Sequence, residues 1–164
     1  MDTITIGVEA WAARDSAEVK ETNHLLKLEK ILQVRCVSVG ALYSLESGSG
    51  AISDDQAQSV AQNLLCDAVA EKYIFVGAEK RGACVFVDVW YKPGVTDTIG
   101  QSVQKAIMDL NISSVQSVKT GKRYVFEFAK NGARSAKNFS AKILSSFAAK
   151  TLFNPLVQEC KITA

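Results

Sequence analysis

Two stretches decide the fold of this chain: VRCVSVGALYSL at residues 34–45 and VQSVKTGKRYVF at residues 115–126. A shift of 81 positions, the separation of Gly40 and Gly121, aligns them without a gap. Apolar positions then meet apolar positions, and the tyrosine of one stretch meets the tyrosine of the other. A divergent tandem repeat explains this match, and such a repeat defines the architecture before any single motif does.

The match extends outward on both sides. Ile4, Ile6 and Val8 align with Val85, Val87 and Val89. Beyond a six-residue insertion the offset becomes 87, and residues 65–69 align with residues 152–156. We therefore predict two modules, residues 1–78 and 83–164, which are joined by a polar linker bounded by Gly77 and Gly82. Modules of this size are near the lower limit for an independent core, so we expect each to bury a face against the other.

Each repeat follows a β-α-β-β-α-β pattern. Alternating apolar residues predict the strands, and glycines at positions 40 and 121 predict a turn between the two central strands of each repeat. The class is thus α+β: two split β-α-β, ferredoxin-like modules that form a pseudo-dimer, with helices on one face of antiparallel sheets. The cluster of Lys119, Lys122 and Arg123 lies at the second predicted turn.

Capping signals and apolar spacing predict four helices. Ser16 caps a helix over residues 17–32, in which Leu25, Leu28 and Leu32 recur at helical spacing. Ser53-x-x-Gln56 is a capping box, and Thr98-x-x-Gln101 caps a third helix. The fourth helix is expected over residues 136–153.

Composition indicates an ordinary globular protein, with 48% apolar and 22% charged residues. No apolar run approaches the length of a membrane span, and Met1-Asp2-Thr3-Ile4 leads directly into a strand pattern. We therefore expect a cytoplasmic protein without a signal peptide or a membrane contact.

The net charge of +2 conceals an asymmetry between the halves. Residues 1–82 carry 8 Lys/Arg against 12 Asp/Glu, a balance of −4, and residues 83–164 carry 11 against 5, a balance of +6. Copies that face different partners would diverge in this way, although a difference between two solvated surfaces explains it nearly as well.

Few residues are suited to catalysis. The chain has one histidine, His24, and four cysteines without a C-x-x-C pair, so neither a nucleophilic triad nor a metal site has enough partners. Asp54 and Asp55 fit the first turn of a helix better than a metal pair. We predict no catalytic, cofactor-binding or metal-binding residues, and buried, reduced cysteines.

The basic cluster at the second turn is the one candidate for a partner interface. It consists of Lys119, Lys122 and Arg123 with Tyr124 beside them. A phosphate contact is conceivable there, whereas a solvated turn is the commoner outcome for such a cluster.

The second repeat resembles the PurS family. The resemblance is carried by Lys92-Pro93-Gly94-Val95-x-Asp97-x-x-Gly100, by Val115-x-x-Val118-x-x-Gly121-Lys122, and by LFNPLVQE at residues 152–159. In the first repeat it is fainter, since Ala12-Ala13-Arg14 replaces the Pro-Gly turn.

PurS is the small subunit of phosphoribosylformylglycinamidine synthase. The resemblance implies a non-catalytic subunit of an ATP-dependent ligase of purine biosynthesis, which holds a glutaminase against a synthetase so that ammonia passes between them. Members of the family pair as dimers, and the large single-chain synthases begin with a domain that resembles two fused modules. This chain is similar to such a fused pair, and further homodimerisation is compatible with that arrangement.

Two alternatives remain open. A tandem ACT-like regulatory module shares the β-α-β-β-α-β order, and Pro93-Gly94 suits the turn before an amino-acid pocket between paired modules. An RNA-binding sheet would need exposed aromatic residues such as Tyr124, Phe126 and Phe128 on one strand face. Core packing explains those aromatics equally well, so we do not expect a nucleic-acid partner.

Overall fold

The computed structural model describes residues 2–79, 83–129 and 141–163 as an α+β fold with one six-stranded antiparallel sheet. The strands are β1 (Thr3–Ala10), β2 (Val34–Ser47), β3 (Glu71–Phe75), β4 (Cys84–Tyr91), β5 (Val115–Phe128) and β6 (Gln158–Thr163), in the sheet order β3-β1-β2-β5-β4-β6. The helices are α1 (Ala17–Leu28), α2 (Asp54–Val60, continued by a π-helical turn over Ala61–Leu65), α3 (Thr98–Asp109) and α4 (Ala141–Thr151). The predicted α+β class is confirmed, and the arrangement is consistent with a ferredoxin-like split β-α-β fold.

The predicted turns at Gly40 and Gly121 are wrong. Each lies inside one continuous strand of 14 residues, and neither has a positive φ. The glycines are needed for close approach instead. A Cβ on Gly40 would lie 2.4 Å from the carbonyl oxygen of Val8, and one on Gly121 would lie 2.6 Å from that of Val89. Strands β2 and β5 stay extended because they pair with each other along nearly their whole length.

The two halves of the sheet have the same register. Ile6 lies opposite Tyr43 between β1 and β2, and Val87 lies opposite Tyr124 between β4 and β5, so both partners are shifted by 81 positions. The outer strands follow the second offset of 87, because Ile6 lies opposite Phe75 and Val87 lies opposite Ile162. This is the relation that a tandem duplication predicts.

A local two-fold axis passes between the two central strands. Ala41 lies opposite Lys122, and these residues are themselves 81 positions apart. On either side of this pair the cross-strand partners exchange roles: Gly40 lies opposite Arg123, and Leu42 lies opposite Gly121.

Each of the two larger hydrophobic clusters combines residues from both halves of the chain. In the first cluster, Val19 and Leu26 of α1 pack with Val87 of β4, Phe126 of β5 and Leu144 of α4. Helix α1 therefore shares a hydrophobic cluster with β4, β5 and α4 of the other half, as well as with β2 of its own half. Since burial of these side chains is the main stabilising term, neither half has a complete core of its own.

The second cluster has the same construction with the halves exchanged. Ile107 of α3 and Val118 of β5 pack with Ile6 of β1, Leu45 of β2 and Val60 of α2. Both clusters use the sheet face on which Ile6 and Val87 lie, as the predicted single helical face requires.

The helix starts agree with the capping signals except at α3. The hydroxyl of Ser16 accepts a hydrogen bond from the Val19 N–H, and the Ser53–Gln56 capping box is formed in both directions. The cap of α3 is Asp97 rather than Thr98, because its carboxylate accepts from the Gly100 N–H and also holds the backbone N–H of Thr120.

The predicted apolar face of α1 is wrong at its C-terminal end. The helix ends at Leu28, and Leu28 and Leu32 are 64% and 69% exposed. The face that packs on the sheet contains Val19, Thr22 and Leu26. The first five residues of the predicted helix at 136–153 lie outside the described residues.

Across residues 2–79, 83–129 and 141–163, none of the helices combines the length and the apolar character that crossing a bilayer requires.

Candidate functional site

The four residues of the predicted interface lie in the middle of β5 and not at a turn. Successive side chains of a strand point to opposite faces, so Lys119 and Arg123 share one face of the sheet while Lys122 and Tyr124 share the other. The structure therefore does not bring these four side chains together into one surface.

Arg123 belongs to a semi-buried ionic cluster on the sheet face opposite the helices. Its guanidinium donates two hydrogen bonds to Asp88, both 2.7 Å long, and a third to Glu79. It also lies 4.7 Å from the centre of the Phe86 ring. Burial opposes ionisation of Glu79, but hydrogen bonds from the backbone and from Arg123 outweigh it and hold the pKa of Glu79 below its usual value. Through Glu79, this cluster attaches the segment that follows β3 to strand β5 of the sheet.

Tyr124 is a core residue. It is 7% exposed within the first hydrophobic cluster, and its hydroxyl donates to the carbonyl oxygen of Leu152. Burial, reinforced by the charge of Glu18, raises the pKa of Tyr124 to about 12. Phe126 is fully buried on the same face. These aromatics pack under helices and do not form the exposed stacking surface that an RNA-binding sheet needs.

Lys119 and Lys122 expose their ammonium groups. Lys119 lies 2.7 Å from Glu46, and its hydrogen bond, together with that of Ser117, lowers the pKa of Glu46. Lys122 lies 3.4 Å from Glu18 in the first turn of α1. Exposed pairs of this kind contribute at most about 1 kcal/mol, so both lysines could exchange their partners for a protein surface.

An open cleft of about 620 Å³ lies on the helical side of the sheet at the local two-fold axis. Its floor consists of small residues of β2 and β5, among them Ala41 and Thr120, and the first turns of α1 and α3 border it. The Glu18–Lys122 pair lies in this cleft, and Glu71 and Gln158 line it from the two outer strands. The cleft lies between the halves and contains the Glu18–Lys122 ion pair.

All four cysteines are free thiols, and Cys36 and Cys84 are buried as predicted. For Cys66 and Cys160 the prediction of burial is wrong, because Cys66 follows the end of the π-helical turn and Cys160 lies on an edge strand, and both are only partly buried. Cys36 is buried, and desolvation raises the pKa of its thiol to about 12, so it is protonated at neutral pH. His24 is exposed on α1, and Asp54 and Asp55 lie in the first turn of α2. Among the described residues, no three His, Cys, Asp or Glu side chains are grouped as a metal site would require.

Sequence reasoning missed the cleft because its two walls come from different halves of the chain. The alignment did contain one usable signal. Residues that lie 81 positions apart line the cleft in pairs: Val8 and Val89, Gly40 and Gly121. Only the pairing of β2 with β5 brings them together.

The fold and this surface define a class of α+β protein in which the two halves of the chain share one antiparallel sheet and contribute side chains to common hydrophobic clusters. Residues 84–164 match the family model PurS, phosphoribosylformylglycinamidine (FGAM) synthase. The second half of the chain, residues 84–164, is a PurS-family domain, which associates the chain with FGAM synthase and so with purine biosynthesis. The comparison with curated proteins gives no match.

Proposed function

We propose that this chain is a non-catalytic assembly subunit of FGAM synthase, which holds the glutaminase against the ATP-dependent synthetase for ammonia transfer. The match of residues 84–164 to the PurS family is the observation that carries the proposal. Purine biosynthesis as its setting makes the cytoplasm the compartment that we propose.

As part of this proposal, residues 1–78 and 83–164 are two diverged copies of one PurS-like unit. Support comes from the identical strand registers at offsets of 81 and 87, and from the local two-fold relation at Ala41 and Lys122. The composite clusters add support, because Leu26 of α1 and Ile107 of α3 occupy equivalent places in the two cores.

Such an arrangement suits a subunit that holds two other subunits together. It presents two similar surfaces in one fixed orientation, and their formal charges of −4 and +6 would let each surface select a different subunit. The semi-buried Arg123 and the buried Tyr124 hold the sheet, which leaves Lys119 and Lys122 as the members of the predicted interface that a subunit could contact.

Reconstitution tests this proposal. The purified chain is mixed with the separate glutaminase and synthetase subunits, and complex formation is followed by size-exclusion chromatography. We expect a ternary complex and a gain in glutamine-dependent turnover. Turnover with an ammonium salt in place of glutamine is the control, since it needs no ammonia transfer and should not depend on the chain. Absence of both the complex and the gain would contradict the proposal.

The cleft at the two-fold axis supports a second candidate, a tandem ACT-like ligand-sensing module. Its volume of about 620 Å³ is within the range of small-molecule sites. A thermal-shift screen against amino acids and nucleotides separates the candidates, because a specific ligand at a hundred times its Kd stabilises by about 2.7 kcal/mol. The assembly role predicts no such ligand.

A further inference from the structure

Two loops expose three consecutive apolar residues at their tips. We call residues 66–70 the first corner loop and residues 153–157 the second corner loop. The tips are Ala68-Val69-Ala70 and Pro155-Leu156-Val157, all exposed, with Val69 91% and Leu156 84% exposed. Folded chains avoid exposed apolar runs of this length unless the run has a function.

Two successive side-chain hydrogen bonds fix the first corner loop. The Asp67 carboxylate accepts from the Val69 N–H at 3.0 Å, and the Glu71 carboxylate accepts from the Asp67 N–H at 3.1 Å. Trp11 clamps the loop from the side, because its backbone N–H donates to Ala70 at 3.0 Å and its indole N–H donates to Ala68 at 3.4 Å.

The second corner loop is fixed by the same bonds at equivalent positions. The Asn154 side-chain oxygen accepts from the Leu156 N–H at 3.0 Å, and that of Gln158 accepts from the Asn154 N–H at 3.0 Å. Lys92 takes the place of Trp11. Its backbone N–H donates to Val157 at 2.9 Å, and its ammonium donates to Pro155 at 2.5 Å. Each aliphatic tip is therefore held in a defined position, which lowers the entropy lost when a partner binds it.

The two corner loops have the same hydrogen-bond geometry but are held by side chains of different charge. The first corner loop is held by the carboxylates of Asp67 and Glu71, whereas the amides of Asn154 and Gln158 and the ammonium of Lys92 hold the second. Near the first loop, Lys72 is already paired with Glu9. At the position equivalent to Lys72, the second loop is followed by the exposed Glu159. The side chains that hold the first tip thus include two carboxylates, whereas those that hold the second include one ammonium and no carboxylate, so the same partner surface would not suit both.

We propose that the two corner loops are the anchor points for two different protein subunits. Val69 inserts into an apolar pocket with a basic rim, and Leu156 inserts into an apolar pocket with an acidic rim. This inference rests on the proposed assembly function and identifies the surfaces that would carry it out. The two subunits are the glutaminase and the synthetase, and the rim charges of their pockets decide which one takes which corner.

Substitution of each tip tests the assignment. Val69→Ser and Leu156→Ser remove the anchors at positions so exposed that the melting temperature should not change. Calorimetric titration with each purified subunit is expected to show an affinity loss of about tenfold or more for one subunit and less than about twofold for the other. The two variants should affect opposite subunits. Met108→Ser, at an apolar residue 59% exposed on α3, is the matched control and should change neither affinity.

A charge exchange separates the rim from the anchor. The double variant Asp67→Asn, Glu71→Gln gives the first corner loop the hydrogen-bond acceptors of the second, so its geometry should persist. One subunit loses affinity when Val69→Ser is made. The affinity of this subunit for the double variant should depend less on salt concentration than its affinity for the unaltered chain.

The outcomes are distinguishable. If the unaltered chain binds both subunits and the two tip variants behave like Met108→Ser, the corner assignment is overturned while the assembly function stands. If both tip variants lower the affinity for the same subunit, the two-partner assignment is also overturned. The same holds if the variants change only the self-association of the chain in sedimentation velocity. If the unaltered chain binds neither subunit, the assembly function fails and this inference fails with it.

Discussion

Gly40 and Gly121 show how single residues permit the long central strands. Both lie where the neighbouring strand passes so closely that a side chain would overlap a carbonyl oxygen, at 2.4 Å and 2.6 Å. At Gly121 the ring of Trp90 also covers the position, with its Cε3 atom 2.7 Å from the place of a Cβ. The strands can run straight because these two positions carry no side chain.

We expect Gly40→Ala and Gly121→Ala each to reduce the free energy of unfolding by about 1–3 kcal/mol, the usual cost of overpacking. Gly7→Ala is the matched control. Its Cβ would meet ordinary contacts at 3.8 Å, and alanine is the better strand residue, so its effect should be near zero or stabilising. Urea denaturation measures all three, and equal effects at the three positions would contradict the explanation.

Removal of the Arg123 charge should reduce the free energy of unfolding more than removal of an exposed lysine. Arg123→Met leaves Asp88 and Glu79 without their cation in a semi-buried setting, and we expect a loss of about 3 kcal/mol. Lys119→Met makes a similar change on the same strand face. Because its side chain is 65% exposed, it should cost less than about 1 kcal/mol.

The same cluster predicts a pH dependence. The pKa of Glu79 is lowered in the folded state, so its contribution to stability is complete above the usual value of 4.5 and is lost as the pH falls through the lowered pKa. Arg123→Met should therefore lose less stability than the unaltered chain between about pH 6 and about pH 3. Parallel acid-denaturation curves for the two proteins would contradict this.

At the scale of elements, helix α1 shows how the halves depend on each other. Leu26 is 2% exposed and packs with strands and a helix of the other half, while Leu28 on the same helix is 64% exposed. We expect Leu26→Ala to cost about 2–5 kcal/mol and Leu28→Ala to cost less than about 1 kcal/mol. Both should unfold in one transition by fluorescence and circular dichroism. A separate early transition of one half in Leu26→Ala would contradict the composite core.

The elements also show how far the sequence could be interpreted. Strands β1, β3, β4 and β6 and the caps at Ser16 and Ser53 follow from local spacing, and the sequence predicts them. It predicts β2 and β5 as two strands each, whereas each is one continuous strand. At positions 40 and 121 the sequence predicts turns where the structure has strand, since a glycine needed for close approach looks the same in sequence as one needed for a turn. The clusters that combine α1 with β4 and α3 with β1 depend on contacts between residues far apart in sequence, which periodicity does not encode.

At the scale of the molecule, the composite cores predict the behaviour of a fragment. Residues 83–164 alone lack α1, which covers Val87 and Phe126, so the isolated fragment should expose this surface. We expect it to form a dimer in which a second copy supplies α3 in place of α1. A folded, monomeric fragment in sedimentation equilibrium would contradict this.

The axis adds a sharper expectation for that dimer. Lys122 would lie opposite Lys122 of the other copy, whereas in the whole chain it lies opposite Ala41. Like charges directly across a ladder are destabilising, so Lys122→Ala should tighten the fragment dimer by about twofold to fivefold at low salt. Lys119→Ala, away from the axis, should not. The gain should diminish at high salt, because the repulsion is screened.

The β2–β5 ladder also has a consequence for how the protein responds to dilution. Two separate chains that meet along such a ladder come apart when their concentration falls below the dissociation constant. Here both strands belong to one polypeptide, so the ladder closes as part of folding and its occupancy does not depend on abundance. A chain of this kind therefore keeps its six-stranded sheet at nanomolar levels, at which two weakly paired separate chains would come apart.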